Sequence, residues 1–322
     1  MILTVTLHPL LERRLSYNLI AQGSSNRNPI EELKPGGKGI NVSRQLNKLG
    51  AKNLVFTFLG GNNGKIIKHL LTEEGIDFTF VQTKNETRYS FMAIDNSNKT
   101  ATNYFGPDYI ILPNEAEEFK LKLEKMIQNC EIVVFSGSSP CKETDFVFPL
   151  GIELANRYDK ISVCDTYGNH LKECIEKSPT ILHNNIKELE ESLNILLKNE
   201  NEKLDLLDQL YSKGIKQSFI TNGKDDIYAS NFDYHYKAES LKIEEVDATG
   251  SGDSFVAGVV YGLFKDKTFD ESFKVAIALG GLNALTFDVC NISLDKAEEA
   301  AKKIKIFTVG KKIKIIDDTP GK

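Results

Sequence analysis

Short apolar runs alternate with segments of helical period along most of this chain, and that alternation leaves few folds open. Ile2–Leu7, Leu54–Leu59, Ile132–Phe135, Ile161–Cys164, Ile181-Leu182 and Gln217–Ile220 read as strands. Between them, Gly39–Leu49, Lys65–Glu74, Glu115–Gln128, Asp145–Arg157, Lys187–Leu197 and Glu202–Ser212 carry apolar residues at helical spacing. Strand–helix–strand order predicts an α/β fold with a doubly wound, mostly parallel sheet covered by helices on both faces. One stretch breaks the order. Phe78–Gln82, Arg88–Asp95 and Thr100–Phe105 read as strands with no helix between them, and Asn96-Ser97-Asn98 reads as a turn. With the polar segment 10–35 they predict a small β-sheet outside the main one, a lid built from about 10–35 and 82–107 within a single domain, 1–322. A hairpin near Asp226–Lys237 and helices at Asp253–Phe264, Phe269–Thr286 and Leu294–Lys303 complete the core, with Lys311–Lys314 as a short edge strand.

Composition narrows the partners. The 322 residues are 41% hydrophobic and 26% charged with a net charge of −5, and no basic block is present, which argues against nucleic acid. An anionic substrate must then be held by a few placed cations. Five cysteines without a C-x-x-C pair read as reduced core thiols. The chain opens on a strand rather than a leader, and no apolar run approaches the roughly 20 residues of a membrane helix, so no membrane partner and a cytoplasmic location are expected.

The chemistry concentrates in Val246-Asp247-Ala248-Thr249-Gly250-Ser251-Gly252-Asp253-Ser254-Phe255. Gly250, Ser251 and Gly252 allow successive N–H groups to face one concavity, and the following helix adds the positive end of its dipole. A carboxylate beside an anion hole makes sense if Asp253 takes a proton from an attacking hydroxyl while the amides hold a phosphoryl group. The same Asp also suits a plain N-cap. Earlier, Gly36-Gly37-Lys38-Gly39-Ile40-Asn41 lets a ligand approach backbone at a helix start. Lys38 supplies an ammonium there, and Asn41 a donor and an acceptor for hydroxyls. The strand ends place Asp165, Asn185, Thr221 and Gly223 on the ligand-binding edge of the sheet.

The late loop resembles the C-terminal signature of the ribokinase-like (PfkB) sugar kinases, Asp-Thr-x-Gly-x-Gly-Asp-Ser/Ala-Phe. The early segment resembles the Gly-Gly-Lys-Gly-x-Asn-Val-x-Arg stretch of its sugar-phosphate branch, which contains 1-phosphofructokinases and tagatose-6-phosphate kinases. The resemblance implies a ribokinase-like fold and ATP-dependent phosphorylation of a ketohexose phosphate, fructose 1-phosphate first and tagatose 6-phosphate second. It also implies that Lys38 and Arg88 face the phosphate the substrate already carries. Asn185-Ile186-Lys187-Glu188 is similar to the family's Asn-x-x-Glu, which implies Mg²⁺ near Glu188 with Asn185 beside the nucleotide; the spacing equally suits a capped helix. Thr221-Asn222-Gly223 resembles the Thr-x-Gly that meets ATP phosphates, and Asn283 is placed near the adenine.

Three departures bear on the substrate. Glu12 stands where relatives carry an Asp that binds sugar hydroxyls, after His8-Pro9. His183 precedes Asn184-Asn185 where a lysine is usual, and Ser138-Ser139-Pro140-Cys141-Lys142 replaces Ser-Leu-Pro-Pro-Gly. A non-catalytic sugar-phosphate sensor is the competing reading from another class, and the retained Asp253 argues against it. A lid sheet with an open face would allow a homodimer.

Overall fold

The computed structural model describes residues 1–310. The chain begins with β1 (Ile2–Thr6), then leaves the core for β2 (Leu10–Tyr17) and β3 (Ile30–Gly36). It returns through α1 (Lys38–Lys48), β4 (Asn53–Gly60), α2 (Gly61–Glu73) and β5 (Phe78–Thr83). A second excursion forms β6 (Tyr89–Asp95) and β7 (Thr100–Phe105). Alternation resumes with α3 (Pro113–Gln128), β8 (Ile132–Gly137), α4 (Val147–Arg157), β9 (Ile161–Thr166), α5 (Leu171–Glu176) and β10 (Ile181–Asn185). After α6 (Ile186–Leu193), α7 (Glu200–Ser212) and β11 (Gln217–Thr221) comes the hairpin β12 (Ile227–Asn231) and β13 (Tyr234–Ala238). The chain closes with α8 (Ser251–Phe264), α9 (Phe269–Asn283), α10 (Leu294–Ala301) and β14 (Ile306–Val309).

Ten strands form one sheet in the order β14-β13-β12-β11-β10-β9-β8-β1-β4-β5, parallel from β5 to β11 and antiparallel beyond. Both faces are covered, so strands are apolar on both sides. In β8, Val133 and Phe135 join the core on the α3–α7 face, while Ile132 and Val134 join the core on the α1, α8, α9 and α10 face. The strand order reverses at β1, whose neighbours are β4 and β8. Such a reversal opens a crevice at the carboxyl ends of the strands.

The small second sheet has the order β3-β2-β6-β7. One expectation needs correcting. Phe78–Gln82 does not join this sheet; it lies in β5, parallel to β4, with Val55 opposite Phe78. The helix α2 joins the two, so β4-α2-β5 is one more crossover unit. The strand β14 on the sheet edge, Ile306–Val309, was not among the strands read from sequence, and the expected strand at Lys311–Lys314 lies outside the described residues.

Candidate active site

A cleft of about 610 Å³ follows the strand ends at the reversal, a size usual for small-ligand pockets. One wall includes Asn185, Glu188, Thr221 and Gly223, the floor Gly250 to Asp253, and the opposite wall Glu12, Gly37, Lys38, Asn41 and Arg88. Residues distant in sequence thus meet on one edge.

Two glycines shape the loops of the cleft, Gly250 in the anion loop and Gly37 ahead of α1. Gly250 has φ +80° and is the N-cap of α8; a Cβ there would stand 2.3 Å from Val289 Cγ1. Gly37 has φ +128°, and a Cβ would stand 2.8 Å from Thr6 Cγ2. Neither position accepts a side chain without rebuilding its surroundings. Because α8 starts at Ser251, the amides of its first turn have no acceptor within the helix; Ser251 N donates to the Ala248 carbonyl at 3.0 Å, and Gly252 and Asp253 line the cleft. The loop is braced from below by Asn283. Its Nδ2 donates to the Thr249 carbonyl at 2.7 Å, and its Oδ1 accepts from Cys290 N at 2.7 Å and Ser254 Oγ at 3.2 Å. Asn283 is fully buried, so the adenine contact expected for it is corrected: it shapes the anion loop.

Asp253 is not the N-cap. It sits in the first turn of α8, which has no side-chain cap, and accepts from Asn41 Nδ2 at 2.8 Å. Burial, with Asp165 and Glu188 nearby, pushes its pKa up to about 7, against the lowering effects of Lys38 and the Asn41 hydrogen bond. A carboxyl that ionises near neutrality is suited to taking up a proton and passing it on.

Lys38 differs from expectation. Its ammonium lies 2.7 Å from Glu188 Oε1 and 3.5 Å from Asp165 Oδ1, at the Asp253 end of the cleft. Burial alone would lower its pKa, but Asp165, Glu188 and Asp253 outweigh burial and hold it well above the ordinary lysine value. Arg88 Nη2 donates to the His8 carbonyl at 3.1 Å, and its Nη1 lies 3.3 Å from Asp108 Oδ1. His8 is buried, and burial together with Arg88 lowers its pKa to about 3, so its ring stays neutral. Glu12 Oε1 accepts from Arg14 Nε at 2.6 Å, and Arg14 Nη1 donates to the Phe287 carbonyl at 2.7 Å. The longer side chain of Glu12 therefore has a partner on its own strand, and that pair ties β2 to the segment behind the anion loop.

Asn185 and Glu188 form a capping box on α6: Asn185 Oδ1 accepts from Glu188 N at 2.9 Å. His183 does not replace a lysine as an extended cation. It is buried between Asp165 Oδ1 at 2.9 Å and Thr221 Oγ1 at 3.3 Å, with its ring stacked on Phe255. With Asp165 only accepting, His183 Nδ1 donates to it. Mg²⁺ fits these donors. Glu188 offers a partly exposed carboxylate and Asp165 Oδ2 is buried without a partner, and both are hard oxygen ligands. Among the described residues there is no group of three or more His, Cys, Asp or Glu set to hold a metal ion.

Several lining residues were not singled out from sequence: Arg14, Arg44, Asn103, Phe105 and Tyr167. Arg14 was legible in part, since positions 12 and 14 of a strand share a face. The others depend on which strands become neighbours.

The sequence profile described as "pfkB family carbohydrate kinase" matches residues 13–297. The chain is 31% identical over 313 residues to a tagatose-6-phosphate kinase of Staphylococcus epidermidis, covering 96% of this chain and 100% of the relative. It is 32% identical over 293 residues to a 1-phosphofructokinase of Borreliella burgdorferi, covering 90% and 94%. A solved structure from Thermotoga maritima, described as "Possible 1-phosphofructokinase", superposes with a TM-score of 0.88 at 25% identity, covering 96% and 99%. Among the described residues no helix is long and apolar enough to cross a membrane.

Proposed function

Because the chain belongs to the pfkB family of carbohydrate kinases, we propose that it transfers the terminal phosphoryl group of ATP to a hydroxyl of a ketohexose phosphate. Fructose 1-phosphate, taken at O6, is the first substrate and tagatose 6-phosphate, taken at O1, the second; relatives named for each activity are similar to this chain at nearly equal identity. The observation that carries the reading is Asp253, buried, held by Asn41 and set beside the anion loop.

The acceptor hydroxyl gives its proton to Asp253 as its oxygen attacks the terminal phosphorus of ATP, and the bond from that phosphorus to the bridging oxygen breaks, so that ADP leaves with the bond's electron pair. The amides around Gly252 hold the phosphoryl oxygens as charge spreads over them. Lys38, at the same end, neutralises part of that charge once it releases Glu188. Mg²⁺, held by Glu188 with Asn185 close by, would supply charge neutralisation on the nucleotide phosphates. Thr221 and Gly223 border the path of those phosphates. Arg88 takes the phosphate the sugar brings, for which a guanidinium is well shaped, and Glu12 takes a sugar hydroxyl. The second sheet acts as a lid over the sugar, and its exposed face, with Tyr89, Phe91 and Tyr104, is where a second copy docks. A cytoplasmic location follows from these substrates.

A coupled assay of ADP release, run with fructose 1-phosphate, tagatose 6-phosphate, fructose 6-phosphate and free fructose, tests the reading. Turnover is expected to be fastest on a phosphorylated ketohexose. Equal turnover of free fructose overturns the substrate assignment. Sugar-phosphate binding without ADP release on any member favours a sensor and overturns the kinase.

A further inference from the structure

Asn41 is the one side chain that hydrogen-bonds to Asp253 among the described residues, and its own orientation is set from behind. Arg44 Nη1 lies 2.8 Å from Asn41 Oδ1. A guanidinium has five donors and no acceptor, so the Asn41 atom facing it must be the carbonyl oxygen. The amide nitrogen then occupies the other branch, where it donates to Asp253 Oδ2 at 2.8 Å. Rotating the amide by half a turn would set a carbonyl oxygen against a carboxylate, an arrangement compatible only with protonated Asp253.

Arg44 is itself immobilised. Its Nε donates to Glu74 Oε2 at 2.6 Å, and its Nη2 lies 3.3 Å from Glu74 Oε1 and 2.6 Å from the Pro35 carbonyl. Three residues separate Asn41 from Arg44 on α1, so both lie on one helix face. Glu74 caps the end of α2, and Pro35 lies in β3 where the second sheet returns to the core.

We infer that Arg44 is a positioning residue: it locks the Asn41 amide in the orientation that supports ionised Asp253, and links that orientation to the root of the second sheet. The inference rests on Asp253 as the base. The other groups that bear on Asp253 are Lys38 from α1, Asp165 from β9, Glu188 from α6 and the Cys290 thiol from the segment after α9. His183 from β10 is tied to Asp165. Lys38 is the one cation in this set, and none of these groups touches the Asn41 amide oxygen, so its orientation has no second keeper among the described residues.

The test is the pH profile of kcat in the full-length protein, with ATP and the preferred sugar phosphate saturating. Arg44→Gln is expected to lower kcat at pH 7 by about tenfold, the low end of a hydrogen bond to a charged group. It should also move the acidic limb to higher pH by about half a unit or more, with KM for ATP unchanged. Asn41→Ala should do the same, and the double variant should be no worse than either single one. Arg44→Lys keeps one donor toward Asn41 and should return the limb toward its original position. Glu74→Gln loses the ion pair but keeps the guanidinium, and should leave the limb in place. Losses that multiply in the double variant, or a limb that stays put in Arg44→Gln, overturn the relay. Asp253→Asn run alongside separates the two readings. If it keeps near-normal turnover, the base falls and the relay with it; if it is inactive while Arg44→Gln and Asn41→Ala multiply, only the relay falls.

Discussion

Replacing Asp253 by Asn keeps the shape and removes the charge, so it separates catalysis from packing. The proton acceptor is lost, and kcat should fall by about 10²–10⁴-fold. Stability should move the other way. The folded-state pKa of Asp253 is raised from 3.8 to about 7, first by burial and then by Asp165 and Glu188. Binding of that proton therefore favours the folded chain below about pH 4, and the contribution is lost as pH rises through about 7. Asn carries no such titration. Between pH 5 and pH 8 the stability of the Asn variant relative to the parent should grow by about 3 kcal/mol, the equivalent of two pH units of one-proton linkage. Thermal unfolding at the two pH values measures the gap, and ADP release measures turnover. The variant should melt higher than the parent at pH 8 and closer to it at pH 5. Near-normal kcat refutes the base. A stability gap that does not change with pH refutes the argument that Asp253 is held in a costly ionised state.

Other outcomes follow from the walls of the cleft. Arg88→Ala should raise KM for the sugar phosphate by about 10–100-fold, as expected for a lost charged hydrogen bond, while KM for ATP holds; an equal loss on free fructose would show that Arg88 does not read the phosphate. Glu12→Asp withdraws the carboxylate from Arg14 Nε and should reorder preference between fructose 1-phosphate and tagatose 6-phosphate through KM. If Glu12→Asp and Glu12→Ala both leave kcat/KM unchanged for every sugar, Glu12 does not touch substrate. Phe91→Lys, placed on the exposed face of the second sheet, should shift a dimer to monomer in sedimentation; a parent protein that sediments as a monomer removes that interface.

Local chemistry made much of this protein legible in its sequence. The glycines of the two loops were readable because only glycine supplies the backbone at Gly37 and Gly250, where positive φ and close neighbours coincide. The alternation of strands and helices was readable because period and burial are local properties. Asp253 was readable as a candidate base or as a plain N-cap, and only the structure, which caps α8 with Gly250 and sets Asp253 inside the first turn, removed the cap. Tertiary structure decided what depends on partners. Phe78–Thr83 carries the same strand pattern as β6, and only the crossover through α2 assigned it to the large sheet. The long side chain of Lys38 has no direction fixed by its own segment, and the carboxylates of Asp165 and Glu188, contributed by β9 and α6, drew it to the Asp253 end of the cleft. Asn283 reads as any helix asparagine until α9 packs on α8 and places it beneath the anion loop. Arg44 stands in the same short segment as Lys38 and Asn41, yet its part was hidden, because Glu74, Pro35 and Asn41 surround it only once α1, α2 and β3 are packed together. Sequence pattern selects elements by near-neighbour sterics and hydrophobic period, whereas the direction of a long polar side chain is settled by charges that arrive from elsewhere in the chain.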